Sequence, residues 1–430
     1  MPFVEASDIL GGTSFEHRSN IHLGYDESGI ICLAPSDAAP AARRLVMPAF
    51  ANAHDHARPL AMSSFGATGM PLETWLLRSA LGTPPDPYLA ACAPLARAAR
   101  SGCGAVMVHY TRPSGTMPLV EEARAVARAA NDVGVRIAFA LALRDINPIV
   151  YGDEAGLLAG LPAEARSQVE AVFRRTPPSV TELIEISDAI AEAIEGPLVG
   201  VQYGPAAVQW CSRALLKAIA ERSAQTGRRV HMHLLETPYQ RAWADRNFPQ
   251  GILPHLKEIG LLSERLTLAH CIHAREDELD MIAEAGATIV TNTSSNLHLR
   301  SGIGPIAKAV ARGCAVAVGM DGLAFDEDDD MLREMRLTHA VHGGVGFRKT
   351  WTSPGFLKAV ISDGRRALGA PGDGALEVGA AADFVVLDLD RIDRDAIMPI
   401  SPVDLLFARA NASHVDDVVV AGRTSSAAGG

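Results

Sequence analysis

The stretch Phe50-Ala51-Asn52-Ala53-His54-Asp55-His56 is a short apolar run that ends in two histidines. Side chains two positions apart on a strand project to the same face, so the rings of His54 and His56 can reach one ion. Neutral imidazoles are common ligands of divalent metals in proteins. The stretch therefore predicts a strand with a metal site at its carboxyl end.

Three later apolar runs end in the same kinds of residue. The run from His231 to Glu236 carries a second histidine at 233, the run from Ala269 to His273 carries histidines at 270 and 273, and the run from Gly319 to Gly322 carries an aspartate at 321. Imidazoles and carboxylates serve as metal ligands and as acid–base groups. If the ends of these strands meet, they predict one shared site.

Apolar strands alternate with amphipathic helices along the middle of the chain, which is typical of βα units around a parallel sheet. Several helical patterns end at a glycine, such as 119–133 before Gly134 and 212–226 before Gly227. Eight such units favour an α/β fold of the (β/α)8 TIM barrel type, whose active sites lie where the strands end. The predicted strands are Leu45–His54, Gly104–Tyr110, Arg136–Leu143, Leu198–Tyr203, Arg229–Leu235, Leu266–His270, Thr288–Thr293 and Ala315–Asp321.

The two ends of the chain differ from the middle. Residues 1–44 and 376–430 hold short strand-like runs, such as Ile30–Leu33 and Phe384–Leu387, separated by Gly, Pro and Asp. We expect these ends to pair into one small β-sandwich domain beside a barrel formed by residues 45–375.

Composition excludes several classes of function. The 430 residues are 48% hydrophobic, and a formal charge of −11 argues against nucleic-acid or anionic-membrane partners. The chain has no run of about 20 apolar residues that could span a membrane. Its first residues, Met1–Glu5, lack the basic region that opens a signal peptide. The six cysteines are scattered without a CxxC pair, which fits reduced thiols. These features predict a cytoplasmic enzyme.

Five segments together resemble the amidohydrolase superfamily, in its branch of chlorohydrolases and aminohydrolases that act on triazines, purines and related heterocycles. The resemblance covers nearly the whole chain, and the terminal run Gly379–Asp388 is similar to the closing β-domain of that family. The five segments are Pro48–His56, His233–Thr237, Leu268–Cys271, Asn292–Asn296 and Val318–Asp321.

The resemblance implies a metal site. His54, His56, His233 and Asp321 would hold one divalent ion, with zinc as the first choice and Fe²⁺ or Mn²⁺ as alternatives, because three histidines and an aspartate suit all of them. Some relatives hold two metals bridged by a carboxylated lysine on the fourth strand. That strand, Leu198–Tyr203, contains no lysine here, which favours a single ion.

The resemblance also implies the chemistry. A divalent ion can lower the pKa of its bound water to about 7, and the resulting hydroxide would attack an sp² ring carbon. Asp321 would take the proton of that water, and Glu236 would protonate a ring nitrogen and then the leaving amine. His270 would polarise the carbon under attack or orient the hydroxide. The expected reaction is deamination of a small heterocycle with release of ammonia.

Other residues have less defined expected roles. Four of them lie where pocket walls are expected and could bind the substrate or serve only in packing: Trp75, His109, Gln202 and Asn296. His231 shares a strand face with His233 and is an alternative ligand, although the family pattern places the ligand three residues before the acid. We expect Glu73 to be exposed. The insert 145–177 is expected to cover the mouth of the pocket.

The substrate class depends on a missing motif. Relatives that deaminate nucleosides carry a Pro-x-Glu that reads ribose hydroxyls, whereas this chain has Leu81-Gly82-Thr83-Pro84-Pro85-Asp86. A free pyrimidine, purine base, pterin or triazine is therefore favoured over a nucleoside. Two alternatives remain: opening of a cyclic amide or displacement of chloride at the same site, and a binding protein without catalysis. The resemblance also implies a homodimer or tetramer.

Overall fold

The computed structural model describes residues 2–36, 39–79, 85–173, 176–322 and 328–425. Short 3-10 helices cover Met62–Phe65, Val208–Trp210 and Ala412–His414, and a π-helical turn covers Ala359–Asp363. The strands are β1 (Phe3–Gly11), β2 (Glu16–Asp26), β3 (Gly29–Pro35), β4 (Arg44–Pro48), β5 (Phe50–Asn52), β6 (Cys103–Tyr110), β7 (Arg136–Leu143), β8 (Val199–Val201), β9 (Gly204–Pro205), β10 (Val230–Leu234), β11 (Leu266–His270), β12 (Thr288–Thr291), β13 (Ala315–Val318), β14 (Gly344–Val345), β15 (Arg348–Lys349), β16 (Phe384–Asp388), β17 (Val415–Val420) and β18 (Arg423–Thr424).

The α-helices lie between these strands, most of them outside the parallel sheets. They are α1 (Leu72–Ser79), α2 (Pro87–Arg100), α3 (Leu119–Val133), α4 (Glu154–Gly160), α5 (Ala163–Phe173), α6 (Val180–Ile194), α7 (Arg213–Thr226), α8 (Pro238–Asn247), α9 (Ile252–Glu258), α10 (Glu276–Glu284), α11 (Thr293–His298), α12 (Ile306–Ala311), α13 (Met331–His342), α14 (Ser353–Lys358), α15 (Gly364–Leu368), α16 (Leu389–Ile392) and α17 (Pro402–Arg409).

Helix ends follow the signals in the sequence. Gly134 and Gly227 end α3 and α7 in the left-handed conformation, with φ of 80° and 73°, which glycine adopts without a Cβ clash. At the start of α6, Ser179 and Glu182 form a capping box that satisfies free main-chain N–H groups. The helices predicted at 119–133 and 212–226 are confirmed within one residue.

Two parallel sheets surround the core. One has the order β5-β6-β7-β8, with β9 also paired to β7, and the other has the order β10-β11-β12-β13. Main-chain hydrogen bonds link the two sheets at both edges. His231 N donates to Tyr203 O at 2.9 Å on one side, and Ala53 N donates to Val318 O at 2.9 Å on the other. This is a TIM-barrel-like α/β fold, with strands at each of the predicted positions.

The predicted first strand, Leu45–His54, is divided between two sheets. The part up to Pro48 belongs to β4, which pairs with β1 and β16, whereas β5 pairs with β6 in the barrel-like part. Pro48 has no N–H to continue the ladder, and Ala49 N donates to Asp383 O at 3.2 Å. Both parts are buried, so their continuous apolar pattern could not reveal the change of sheet.

The chain ends form one mixed sheet in the order β18-β17-β16-β4-β1-β2-β3. The ring of Tyr25 on β2 packs edge-on against Phe384 on β16 with centroids 4.9 Å apart, although β4 and β1 lie between their strands. The sheet must therefore curl around its own core. The expected second unit is present, with its strands in one hydrogen-bonded sheet, and its description as a β-sandwich stays a prediction.

A buried ion-pair cluster joins this sheet to the barrel-like part. Asp383 accepts from Arg136 on β7 at 2.8 Å and from Arg365 on α15 at 2.8 Å, and all three side chains are almost fully buried. Gly364 on α15 lies against β5, where an added Cβ would come within 2.8 Å of the Cβ of Ala51.

Within the described ranges, no helix has the length and apolar character needed to cross a bilayer.

Candidate metal centre and active site

The first and last strands of the parallel sheets bring His54 and Asp321 together. Asp321 N donates to His54 O at 2.9 Å, which fixes the two main chains side by side. Oδ1 of Asp321 lies 3.4 Å from Nε2 of His54 and 3.1 Å from Nε2 of His56. All three side chains are buried.

His233 completes the cluster from β10. Its Nε2 lies 3.4 Å from Nε2 of His56, so these two ring nitrogens face each other. Potential ligand atoms of His54, His56 and Asp321 lie within 4.8 Å of one another, and the same holds for His54, His233 and His270. The structure therefore brings the four predicted ligands to one point.

The free atoms of this cluster fit a divalent cation. Nδ1 of His56 donates to the carbonyl of His109 at 2.8 Å, and Nδ1 of His233 donates to the carbonyl of Ala206 at 2.8 Å, which leaves both Nε2 atoms for a ligand. Nε2 of His54 and Oδ1 of Asp321 are buried and have no hydrogen-bond partner among the described residues. Buried unpaired atoms of this kind are costly, and a bound cation would satisfy both.

Electrostatics keep the histidines neutral. Burial lowers the pKa of His54 and His233 well below the ordinary value, and it also lowers the pKa of His56. Burial alone would raise the pKa of Asp321, but the nearby rings of His54 and His56 hold it well below its usual range. Neutral imidazoles and an ionised carboxylate are the forms that bind a metal.

Two contacts of Asp321 were not predicted from the sequence. The hydroxyl of Ser295 on α11 donates to Oδ2 of Asp321 at 2.5 Å. The guanidinium of Arg58 lies 3.6 Å from Oδ1, donates to the carbonyl of Asp321, and stacks on the ring of Trp75 at 4.8 Å. The positions of these residues gave the only signal: Ser295 lies in the segment 292–296, and Arg58 follows His56 by two residues.

Glu236 and His270 form a second pair beside the cluster. Oε2 of Glu236 lies 3.9 Å from Nε2 of His270, and both side chains are buried. Burial raises the pKa of Glu236 to about 7, opposed by His270 and reinforced by Asp321 and Glu73. His270 is the last residue of β11 and has a φ of 74°, a left-handed conformation that is uncommon for a residue other than glycine.

A hydrogen-bond network holds the turn that carries Glu236. Its main-chain N donates to the side chain of Gln240 at 2.9 Å, and Gln240 N donates to the hydroxyl of Thr237 at 3.2 Å. The same hydroxyl donates to Glu73 on α1 at 2.7 Å. The expectation that Glu73 is exposed is wrong, because this contact holds the carboxylate at the site, partly buried.

The insert at 145–177 also reaches this region. Burial raises the pKa of the Tyr151 phenol, and the charges of Glu73 and Glu236 add to this increase. The carbonyl of Tyr151 accepts from Arg246 on α8 at 2.5 Å. The part of the insert around Tyr151 therefore lies near the acid, and a cover over the pocket mouth stays a prediction.

The four predicted pocket residues have different positions. His109 lies at the cluster, where its ring packs against that of His233 with centroids 4.9 Å apart, whereas the ring of Trp75 contacts Arg58. Asn296 contacts Nδ1 of His270 through its Oδ1 at 2.9 Å, so its contact is with the catalytic candidate itself. Gln202 donates to the carbonyl of Ala367 on α15 at 3.0 Å, and within the described ranges its side chain makes no hydrogen bond to the four predicted ligands.

Two further histidines of the strand-end segments, His231 and His273, have different positions. Nε2 of His231 lies 2.7 Å from Nδ1 of His54, on the side of that ring away from Asp321. Burial lowers the pKa of His231 to about 3. His273 is partly buried, and its Nε2 contacts the carbonyl of Ser301 at 2.9 Å.

The sequence pattern of the amidohydrolase family matches residues 45–425, which includes every residue of this site. The chain belongs to the amidohydrolase family. A 5-methylthioadenosine/S-adenosylhomocysteine deaminase from Pyrococcus furiosus is 30% identical to this amidohydrolase over 397 residues, covering 90% of this chain and 85% of that protein. The resemblance to the deaminase branch and the prediction of a metal-dependent amidohydrolase are confirmed.

Solved structures of low identity share the fold. An adenosine deaminase from Xanthomonas campestris with bound zinc superimposes with a TM-score of 0.78 at 24% identity, covering 98% of this amidohydrolase and 92% of that chain. A mutant of the atrazine chlorohydrolase TrzN from Arthrobacter aurescens, complexed with zinc and atraton, gives a TM-score of 0.80 at 21% identity, covering 99% and 95%. Both cover the terminal sheet as well as the barrel-like part.

Proposed function

We propose that the chain is a mononuclear metal-dependent aminohydrolase that removes an amino group from a heterocycle. The observation that carries the proposal is the buried Glu236, whose pKa of about 7 suits proton exchange at neutral pH. It lies beside the potential ligand atoms Nε2 of His54 and Oδ1 of Asp321, which have no hydrogen-bond partner among the described residues. The deaminase name of the Pyrococcus furiosus relative supports the same reaction.

His54, His56, His233 and Asp321 would hold one divalent ion, with zinc favoured over Fe²⁺ or Mn²⁺ by the zinc in similar structures. When bound, the ion supplies Lewis acidity and an activated water. The absence of a lysine from the fourth strand supports one ion per chain.

The residues around the ligands would manage the protons. Asp321 would accept the proton of the attacking water, with Ser295 and Arg58 holding its carboxylate in place. Glu236 would donate a proton to a ring nitrogen and then to the leaving amine. A chloride leaving group needs no such proton, so the buried acid favours deamination over dechlorination.

His270 would orient the water. If its Nδ1–H is donated to Oδ1 of Asn296, a neutral ring presents an accepting Nε2 towards Glu236 and the site. An acceptor in this place suits orientation of the nucleophile more than polarisation of the carbon. Asn296 would then act on the reaction through His270.

We propose a closed eight-stranded barrel for the parallel sheets, supported by the main-chain hydrogen bonds at both of their edges. The division into residues 45–375 and residues 1–44 with 376–430 stays a prediction. The pairing of β4 with β1 and β16 favours a boundary at Pro48 and Ala49 instead of Arg44 and Leu45.

The reacting group would be an aminated ring of the purine, pyrimidine, pterin or triazine type. The lack of a Pro-x-Glu favours a free heterocycle, although residues 80–84 of that segment lie outside the described ranges. The Pyrococcus furiosus relative and the Xanthomonas campestris structure are named for nucleosides, which favours the adenosine type. The two classes share the same reacting ring and differ in the sugar.

Ammonia release from matched compounds tests the proposal. Each free base is paired with its nucleoside, and the zinc-loaded protein is compared with a chelator-treated sample. We expect ammonia from at least one pair member, and only from the loaded protein. A ring-opened acid or chloride as the product, without ammonia from any compound, would replace deamination by one of the alternative reactions.

A further inference from the structure

His231 and His54 form a buried side-chain pair. Their rings are stacked with an interplanar angle of 11°, and Nε2 of His231 lies 2.7 Å from Nδ1 of His54. Neither side chain is exposed. A hydrogen bond between two histidines at this distance requires one ring to donate and the other to accept.

The proposed metal centre determines which ring donates. An imidazole that binds a metal through Nε2 carries its proton on Nδ1. Nε2 of His54 faces Asp321 and is unpaired, so a cation there leaves Nδ1–H to donate to His231. Nε2 of His231 must then be the acceptor, and its own proton lies on Nδ1.

His54 differs in this respect from the other two histidine ligands. His56 and His233 donate to main-chain carbonyls, those of His109 and Ala206. The acceptor for His54 is a side chain. Acceptors of this kind fix the ring and raise its basicity, and their loss weakens metal binding by about 10- to 100-fold.

We propose that His231 is a positioning residue for the metal centre, which accepts the Nδ1–H of His54 and holds that ring with its Nε2 towards Asp321. The inference rests on the metal site of the proposed function and goes beyond its four ligands. It also gives a role to the histidine two positions before His233.

Two substitutions of His231 distinguish the loss of the hydrogen-bond acceptor from the loss of the imidazole ring. In His231→Gln the amide oxygen can take the place of Nε2, whereas in His231→Asn the shorter side chain cannot reach His54. Both variants keep a polar side chain of smaller or similar size. His342→Asn is a matched control, because His342 is buried and its Nε2 contacts Thr293 at 3.5 Å, away from the ligands.

Zinc affinity is measured on metal-free proteins by competition with a chromophoric chelator, and circular dichroism and thermal unfolding check that each is folded. We expect His231→Asn to bind zinc about 10- to 100-fold more weakly than the native chain. His231→Gln should remain within a few-fold of the native chain, and His342→Asn should match it.

The outcomes separate this inference from the proposed function. Native-like affinity of a folded His231→Asn would overturn the inference, and so would equal weakening by His231→Gln and His231→Asn. If only the Gln variant folds, a large loss of affinity in it would overturn the inference too. Failure of the native chain to bind zinc would instead contradict the proposed metal centre.

Discussion

Oε2 of Glu236 lies 3.9 Å from Nε2 of His270, and both side chains are buried beside the proposed metal ligands. The two residues come from the ends of neighbouring parallel strands, β10 and β11. Burial raises the pKa of Glu236 to about 7, so the carboxyl can hold a proton at neutral pH and still release it. The predictions below follow from this pair and from the groups that hold it.

Removal of the acid should stop turnover without emptying the metal site. Glu236→Gln keeps the shape of the side chain but cannot transfer a proton, so kcat/KM should fall by about 10²- to 10⁴-fold. Zinc content by elemental analysis should equal that of the native chain, because Glu236 is not among the four ligands. Full activity in this variant would mean that another group is the acid.

The pH profile should show an alkaline limb set by Glu236. An acid that must be protonated works below its pKa, so kcat/KM should fall as pH rises through about 7. Glu73 helps to raise this pKa, and Glu73→Gln can still accept from Thr237 without a charge. The limb should therefore move to lower pH in Glu73→Gln. An unmoved limb in that variant would remove Glu73 from the account.

The hydroxyl of Ser295 should support the metal centre. Ser295→Ala removes the donor at 2.5 Å from Oδ2 of Asp321, and zinc affinity should fall by about 10-fold or more. Ser301→Ala is the control, since its buried hydroxyl has no hydrogen-bond partner within the described ranges. Equal zinc affinities of the two variants in chelator competition would contradict this role.

Zinc should stabilise the native fold by binding. At about 100 times its Kd, a ligand that binds only the folded chain adds about 2.7 kcal/mol, so Tm should rise when zinc is added to metal-free protein. His54→Ala removes one of the four ligands, and its Tm should respond little. An equal zinc-dependent rise in both proteins would place the metal elsewhere.

The buried cluster at Asp383 should matter for stability and not for catalysis. Asp383→Asn leaves Arg136 and Arg365 buried without their counter-ion, which typically costs about 3–5 kcal/mol. The exposed pair of Glu27 and Arg423 offers a control, because loss of a surface ion pair costs about 0–1 kcal/mol. Urea unfolding at neutral pH measures both. Similar midpoints for Asp383→Asn and Glu27→Gln would contradict the prediction.

The clustering of the four proposed ligands could be predicted from the sequence because each follows a strand with its own pattern. Spacing of two positions places His54 and His56 on one face, and the alternation of strands and helices brings Asp321 back beside them. The strand positions were found for the same reason. The split at Pro48 could not be found, because β4 and β5 are both buried and read as one apolar run.

The supporting contacts depend on tertiary structure and left no local pattern. Ser295 reaches Asp321 from α11, and Glu73 reaches Thr237 from α1, across 164 positions in the chain. The contact of His231 with His54 spans 177 positions. Gln202 lies just past the end of β8, in the gap before β9, and its side chain donates to the carbonyl of Ala367. Periodicity gives the face of a strand and not the partner across the core.

Ammonia release during a zinc titration of metal-free protein tests the central claim most directly. The account predicts that the rate rises in proportion to zinc and reaches a plateau at one ion per chain. A plateau only at two ions per chain, or ammonia release that does not depend on metal, would contradict a single ion held by His54, His56, His233 and Asp321.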